Sequence, residues 1–185
     1  EQALAEFVDA SGRPGPSSWQ AGDFPEGHAD FPVSGVSWYE AAAYAEFAGK
    51  ALPTSQHWAI ARGEYTPMIQ FPQLGGDALF VPLSNFGGKG PVATASLPGI
   101  TSFGAYDMAG NVREWCWNET PKGRCLRGGA WDDNTYMFSA ISQAPSSRIA
   151  ATKNQPRRRG GGASDCGDSV SVRGRSRLLS AFLFF

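Results

Sequence analysis

Gly104-Ala105-Tyr106-Asp107-Met108-Ala109-Gly110-Asn111-Val112-Arg113-Glu114-Trp115 is the stretch whose reading decides the fold. Asp107 and Glu114 stand seven residues apart around a Gly turn. On spacing alone two readings are open. The pair supplies hard oxygens to a cation, or it caps turns and pairs with Arg113 or Arg127. Downstream, residues 112–117 and 124–131 read as two strands joined by a turn around Pro121-Lys122-Gly123.

Upstream, Ser37-Trp38-Tyr39-Glu40 has the form of a capping box, with Val36 and Ala41 placed as a hydrophobic staple. Ala41, Tyr44, Ala45 and Ala48 then share one helical face, and Gly49 is placed to end the helix. A second helix is expected after Leu52-Pro53, with Thr54 as N-cap, Trp58 as the inward anchor and Gly63 as the stop. Residues 1–10 read as a short helix with Leu4, Phe7 and Val8 on one face. From Glu64 to Thr101 glycines and prolines dominate and no period holds. Apolar residues such as Ile69, Phe80, Val81 and Phe86 would be costly to leave wet, so the reading is an ordered loop region with short strands.

The chain has 185 residues, 42% hydrophobic and 18% charged, which suits one folded domain. With 16 Lys+Arg against 17 Asp+Glu, nothing favours nucleic acid or an acidic membrane as partner. The apolar run at the C-terminus, Leu178 to Phe185, is too short to span a bilayer, and no signal peptide opens at Glu1. The 23 Gly and 13 Pro imply many turns, and the 6 Trp supply bulky anchors. Three cysteines, Cys116, Cys125 and Cys166, are too few for a disulfide framework; Cys116 and Cys125 are a single bridge or two inert thiols. His28 and His57 lie 29 positions apart with no His or Cys at ligand spacing, so His57 reads as a surface or capping residue.

Three stretches together resemble the formylglycine-generating enzymes, or sulfatase-modifying factors. They are Pro32–Ala41 followed by Gly49-Lys50-Ala51-Leu52-Pro53-Thr54, the Gly104–Trp115 segment, and Leu126-Arg127-Gly128-Gly129-Ala130-Trp131. Ser84–Pro91 and Glu114–Glu119 look most like copies fused behind bacterial Ser/Thr protein kinases, so a kinase is an expected neighbour in the parent chain. The resemblance implies an α+β, C-type-lectin-like fold with two main helices, little regular sheet and many loops. It places the domain at residues 1–154, incomplete at both ends. Residues 155–185, Arg/Gly/Ser-rich, read as a tail outside the fold, and a shifted reading frame near Gln155 would produce it. With the family's last strand missing, the domain is expected to be only marginally stable.

The resemblance also implies chemistry. Family calcium ligands carry over to Asp107, Gly110, Val112 and Glu114, the second and third acting through backbone carbonyls. A second calcium loop beginning at Asn85-Phe86 lacks its later carboxylate, and that site is expected to be lost or filled by Lys89. The enzymes hold Cu(I) between two thiolates. Those positions fall here at Asp133 and Phe138, so no catalytic residue is assigned and copper is not expected. The resulting reading is a calcium-stabilised, non-catalytic binding or sensor module. Arg127, Trp131, Asp132, Asp133, Asn134 and Tyr136 would present a surface to a peptide or small-molecule ligand. A packed core with a polar rim fits the same residues. The alternative function is an oxidoreductase of the same family acting on a protein cysteine or related substrate. An iron-dependent sulfoxide synthase on this fold would need a His-rich helical bundle, which the chain lacks.

Overall fold

The computed structural model describes residues 7–63, 81–101, 103–138, 142–144 and 170–171. Helix α1 runs Trp38–Phe47 and helix α2 runs Ser55–Arg62. Both start where local chemistry dictates. The Ser37 hydroxyl accepts from the Glu40 N–H while a Glu40 carboxylate oxygen accepts from the Ser37 N–H at 2.7 Å, which satisfies two otherwise orphan donors. At α2 the Thr54 hydroxyl accepts from His57 N–H and His57 Nδ1 accepts from Thr54 N–H, so His57 is the exposed capping residue expected. Gly63, at φ 95°, ends α2 in the left-handed region that glycine adopts without a Cβ penalty.

Strands β1 (Arg113–Thr120) and β2 (Gly123–Arg127) form an antiparallel hairpin about Pro121-Lys122. Glu114 pairs with Arg127 and Trp115 with Leu126, and the register then shifts before Glu119 pairs with Arg124. β2 stops at Arg127, short of the expected residue 131, because Gly128 and Gly129 both take positive φ and bend the chain away. Short outer strands β3 (Ser142–Ala144) and β4 (Val170–Ser171) complete the order β3-β2-β1-β4. β4 comes from the stretch after residue 154 that the sequence reading places outside the fold. Val170 and Ser171 pair in parallel with Arg113 and Glu114. Backbone groups on an open strand edge accept any extended segment, whatever its side chains. Among the described residues no helix is long and apolar enough to cross a membrane.

The N-terminal expectation also needs correction. Residues 1–6 lie outside the described residues, and Phe7–Ala10 are not helical. Asp9 explains why. Its Oδ1 accepts from the N–H of Ser11 and of Arg13 and from the Ser11 hydroxyl, and its Oδ2 accepts from Gly22 N–H. These bonds, the Ser11 hydroxyl foremost, hold the carboxyl down to about 2. An Asp that gathers N–H groups this way favours a turn over a helix. Of the expected loop region, residues 64–80 fall outside the described residues. Residues 81–101 are loop with one 3₁₀ turn, Val81–Leu83.

The core has two parts, both centred on the hairpin. Trp58, Met108, Cys116, Cys125 and Phe138 fill one; Trp38, Ala41, Trp115 and Leu126 fill the other. Three buried indoles tie the parts together. Trp38 Nε1 donates to the Cys116 carbonyl at 3.0 Å, Trp115 Nε1 to the Val36 carbonyl at 3.2 Å, and Trp58 Nε1 to Glu114 Oε2 at 2.6 Å. Each Trp thus buries a large ring and still satisfies its one donor. Gly110, at φ 67°, lies hard against backbone, since a Cβ there would overlap the Asn85 carbonyl. Gly110→Ala is expected to destabilise the protein by about 3 kcal/mol, combining left-handed strain with overpacking. Urea denaturation measures the loss.

Candidate functional site: the Asp107–Glu114 turn and the hairpin end

Three residues with left-handed backbone, Asp107 (φ 56°), Gly110 (φ 67°) and Asn111 (φ 64°), curl the chain into the start of β1. Asn111 holds the curl together. Its N–H donates to the Asn85 carbonyl, and its carbonyl accepts from Trp131 N–H. Its side-chain Oδ1 accepts from Asn85 Nδ2 and Val92 N–H, while its Nδ2 donates to the Val92 carbonyl. One Asn that is 2% exposed therefore joins residues 85–92, the turn and the residues after β2. Asn111 was not singled out in the sequence as a functional residue, although an Asn following Gly in a turn segment is a signal for left-handed backbone.

Asp107 and Glu114, the two carboxylates assigned to calcium, are both buried. They are anchored by different elements. Asp107 Oδ2 accepts from Ala95 N–H at 2.8 Å, and Glu114 Oε2 accepts from the α2 indole of Trp58. Gly110 and Val112 are buried between them in the chain. The resemblance implies that these two carboxylates and two backbone carbonyls would make an all-oxygen set, the type a hard cation such as calcium takes. Among the described residues no group of three or more His, Cys, Asp or Glu could hold a metal ion. In the second loop, Asn85 Nδ2 donates to the Gly90 carbonyl and to Asn111. Lys89, one of the two alternatives given for that loop, is exposed.

Asp133 and Phe138 lie inside the structure. Asp133 accepts from Arg113 through both oxygens, Nη2 to Oδ1 at 2.6 Å and Nε to Oδ2 at 2.9 Å. Its Oδ2 also accepts from Ala130 N–H at 2.7 Å. The side chains are only 2% and 3% exposed, so this is a bidentate, desolvated pair. Phe138 closes the 3₁₀ turn Thr135–Phe138 and packs edge-on against Trp58, with the Arg62 guanidinium 4.3 Å from its ring.

The expected ligand surface divides accordingly. Asp132, Asn134 and Tyr136 are exposed, Tyr136 by 66%, and Trp131 is half-buried with its carbonyl accepting from Gly87 and Gly88 N–H. Arg127 and Asp133 do not belong to that surface. Arg127 is 5% exposed, with its guanidinium 4.8 Å from the Trp58 ring, because its register position opposite Glu114 turns it inward. Cys116 and Cys125 are free and buried. Burial pushes the Cys116 thiol far above its ordinary value, and the nearby Glu114 carboxylate adds to the shift. Burial raises Cys125 as well.

Two short helices, a hairpin and long hydrogen-bonded loops define a loop-dominated α+β domain. The chain belongs to the family described as the sulfatase-modifying factor enzyme 1-like domain, whose sequence profile matches residues 1–161. The serine/threonine-protein kinase pkn1 of Chlamydia pneumoniae is 37% identical over 125 residues, covering 57% of this chain and 20% of the kinase. The inactive C-alpha-formylglycine-generating enzyme 2 of Bos taurus is 32% identical over 126 residues, covering 56% of this chain and 40% of that protein. Both matches thus span less than half of the relative's own length. In fold, Treponema denticola variable protein 1 superposes with a TM-score of 0.52 at 18% identity, over 79% of this chain and 75% of that one. The fold class expected from the resemblance is the one observed.

Two outcomes follow from the interior groups. Cys116 and Cys125 are expected to resist a thiol reagent at pH 8 in the native protein and to react on unfolding, as absorbance of the released chromophore would record. Asp133→Ala removes both bonds from the buried Arg113 guanidinium and is expected to cost about 3–5 kcal/mol. The paired change Arg113→Met with Asp133→Leu is expected to cost less, and chemical denaturation of all variants gives the comparison.

Proposed function

We propose that this domain is a non-catalytic binding or sensor module of the sulfatase-modifying factor family, stabilised by calcium and carried in a longer chain. The observation that carries the reading is the Arg113–Asp133 pair. At the first position where the resemblance places a copper thiolate, a carboxylate is bound at both oxygens by a buried guanidinium. At the second stands Phe138, a core aromatic with no metal-binding atom. Soft Cu(I) selects sulfur, and the thiols of Cys116 and Cys125 are buried in the core with raised pKa values.

Calcium would be held by the carboxylates of Asp107 and Glu114 and by the carbonyls of Gly110 and Val112. When bound, it supplies positive charge that offsets two buried carboxylates. This chain's residues do the remaining work. Asn111 fixes the turn, Trp58 orients Glu114, and Ala95 N–H orients Asp107. The exposed side chains of Asp132, Asn134 and Tyr136, with half-buried Trp131, offer a polar and aromatic contact surface for a peptide or small ligand. The kinase relatives, matched over a fifth of their length, support a protein kinase elsewhere in the parent chain. The alternative of a family oxidoreductase acting on a protein cysteine has a relative named for it, a formylglycine-generating enzyme from Thermomonospora curvata at 34% identity.

Mass spectrometry of a Cys-x-Pro-x-Arg peptide incubated with the domain, Cu(I), oxygen and a thiol reductant separates the two. The expected result is an unmodified cysteine; formylglycine would overturn the non-catalytic reading. Calcium is expected to raise Tm by several degrees, at about 2–4 °C per kcal/mol for a domain of this size. Asp107→Ala should abolish that rise. A Tm indifferent to calcium and to chelator would remove calcium from the proposal.

A further inference from the structure

We propose that a cavity between residues 16–36 and the start of α1 is a binding site for an organic cation, an ammonium group carried on an apolar or aromatic body. The cavity has a volume of about 720 Å³, within the range of roughly 300–1,000 Å³ typical of small-molecule sites. It lies apart from the hairpin end, and it depends on neither the calcium reading nor the absence of copper.

Its walls carry the argument. Trp19, Phe24, His28, Phe31 and Tyr44 all line it, among prolines that add apolar surface. Trp19 and Phe24 meet edge to face at 6.2 Å, whereas His28 and Phe31 stack at 4.2 Å. Several ring systems in different orientations around one space present the electron-rich faces that attract a cation. Glu40 is the only carboxylate in the lining. Its Oε2 is committed to Ser37 N–H in the capping box.

Charge around the cavity points the same way. Residues 13–50, which supply nearly all of its walls, contain five carboxylates (Asp23, Glu26, Asp30, Glu40, Glu46) against two cations, Lys50 and Arg13, whose Nη1 donates to the Ala21 carbonyl. The facing segment contributes Pro91, and its one cation, Lys89, is exposed to solvent. An excess of carboxylates around an apolar, aromatic cavity favours positive ligands over anions. A neutral apolar molecule would gain the burial but not the electrostatic attraction.

Isothermal titration of the whole chain with phenyltrimethylammonium and with its uncharged isostere, tert-butylbenzene, tests the assignment. The cation is expected to bind saturably and about tenfold more tightly than the isostere. Trp19→Leu, which keeps an apolar wall, and Glu40→Gln, which keeps the capping box, should each weaken the cation by about threefold or more. Neither should change the affinity of the isostere by as much, and circular dichroism checks that the helices persist. Equal affinity for the two probes, non-saturable binding of the cation, or cation affinity unchanged in both variants would each overturn the proposal.

Discussion

Buried loop backbone has to find hydrogen-bond partners, and in this protein Asn111 supplies more of them than any helix end does. Most of the site-bearing chain is neither helix nor sheet, so its N–H and C=O groups cannot satisfy one another in ladders. Asn111 mimics a strand neighbour for residues 85–92, exchanging bonds with Val92 through its amide and with Asn85 through backbone and side chain. Its own carbonyl then receives Trp131. Both ends of the hairpin depend on that exchange. The left-handed backbone at Gly110 and Asn111 follows, because only a sharp curl brings one amide within reach of three segments.

Asp9 and Asp133 repeat the solution elsewhere. Asp9 gathers donors from Ser11, Arg13 and Gly22, and Asp133 gathers Ala130 N–H together with Arg113. A carboxylate accepts more bonds than an amide but carries a charge that burial penalises. At Asp133 that charge is matched by a guanidinium with a forked geometry. Glu114 is anchored by the Trp58 indole, across from Arg127 in the strand register. The residues that would serve a cation therefore also tie α2 to the hairpin, and structural and functional roles are not separable there.

Local signals in the sequence translated directly. The two N-caps, the Gly63 stop, the inward Trp58 and the hairpin turn each depend on a few neighbouring residues, and each sits where the text places it. What depends on long-range register was not legible. Arg127 and Asp133 have the composition of a polar rim, yet the pairing of Arg127 with Glu114, and the reach of Arg113 to a residue twenty positions on, turn both inward. The Phe7–Ala10 segment has an apolar spacing that suits a helix, but Asp9 outcompetes it by bonding to turn N–H groups. β4 carried no signal at all, since the pairing of Val170–Ser171 with β1 is made by backbone.

The Arg113–Asp133 pair bears on how a scaffold can give up one chemistry and keep its shape. A metal bound between two thiolates links two chain positions and neutralises charge between them. A guanidinium–carboxylate pair and an aromatic ring can perform the linking without a metal, one by charge and directional bonds, the other by dispersion and burial. The exchange is not neutral in stability. A buried ion pair gains little over a well-packed apolar pair, but it is strongly destabilising to halve. Once Asp133 is committed to Arg113 and Ala130, a thiol at that position would remove both charge-assisted bonds to the buried guanidinium and the bond from Ala130 N–H. A thiol there would therefore call for a change at Arg113 as well. On the reading proposed above, that coupling makes the non-catalytic state self-reinforcing.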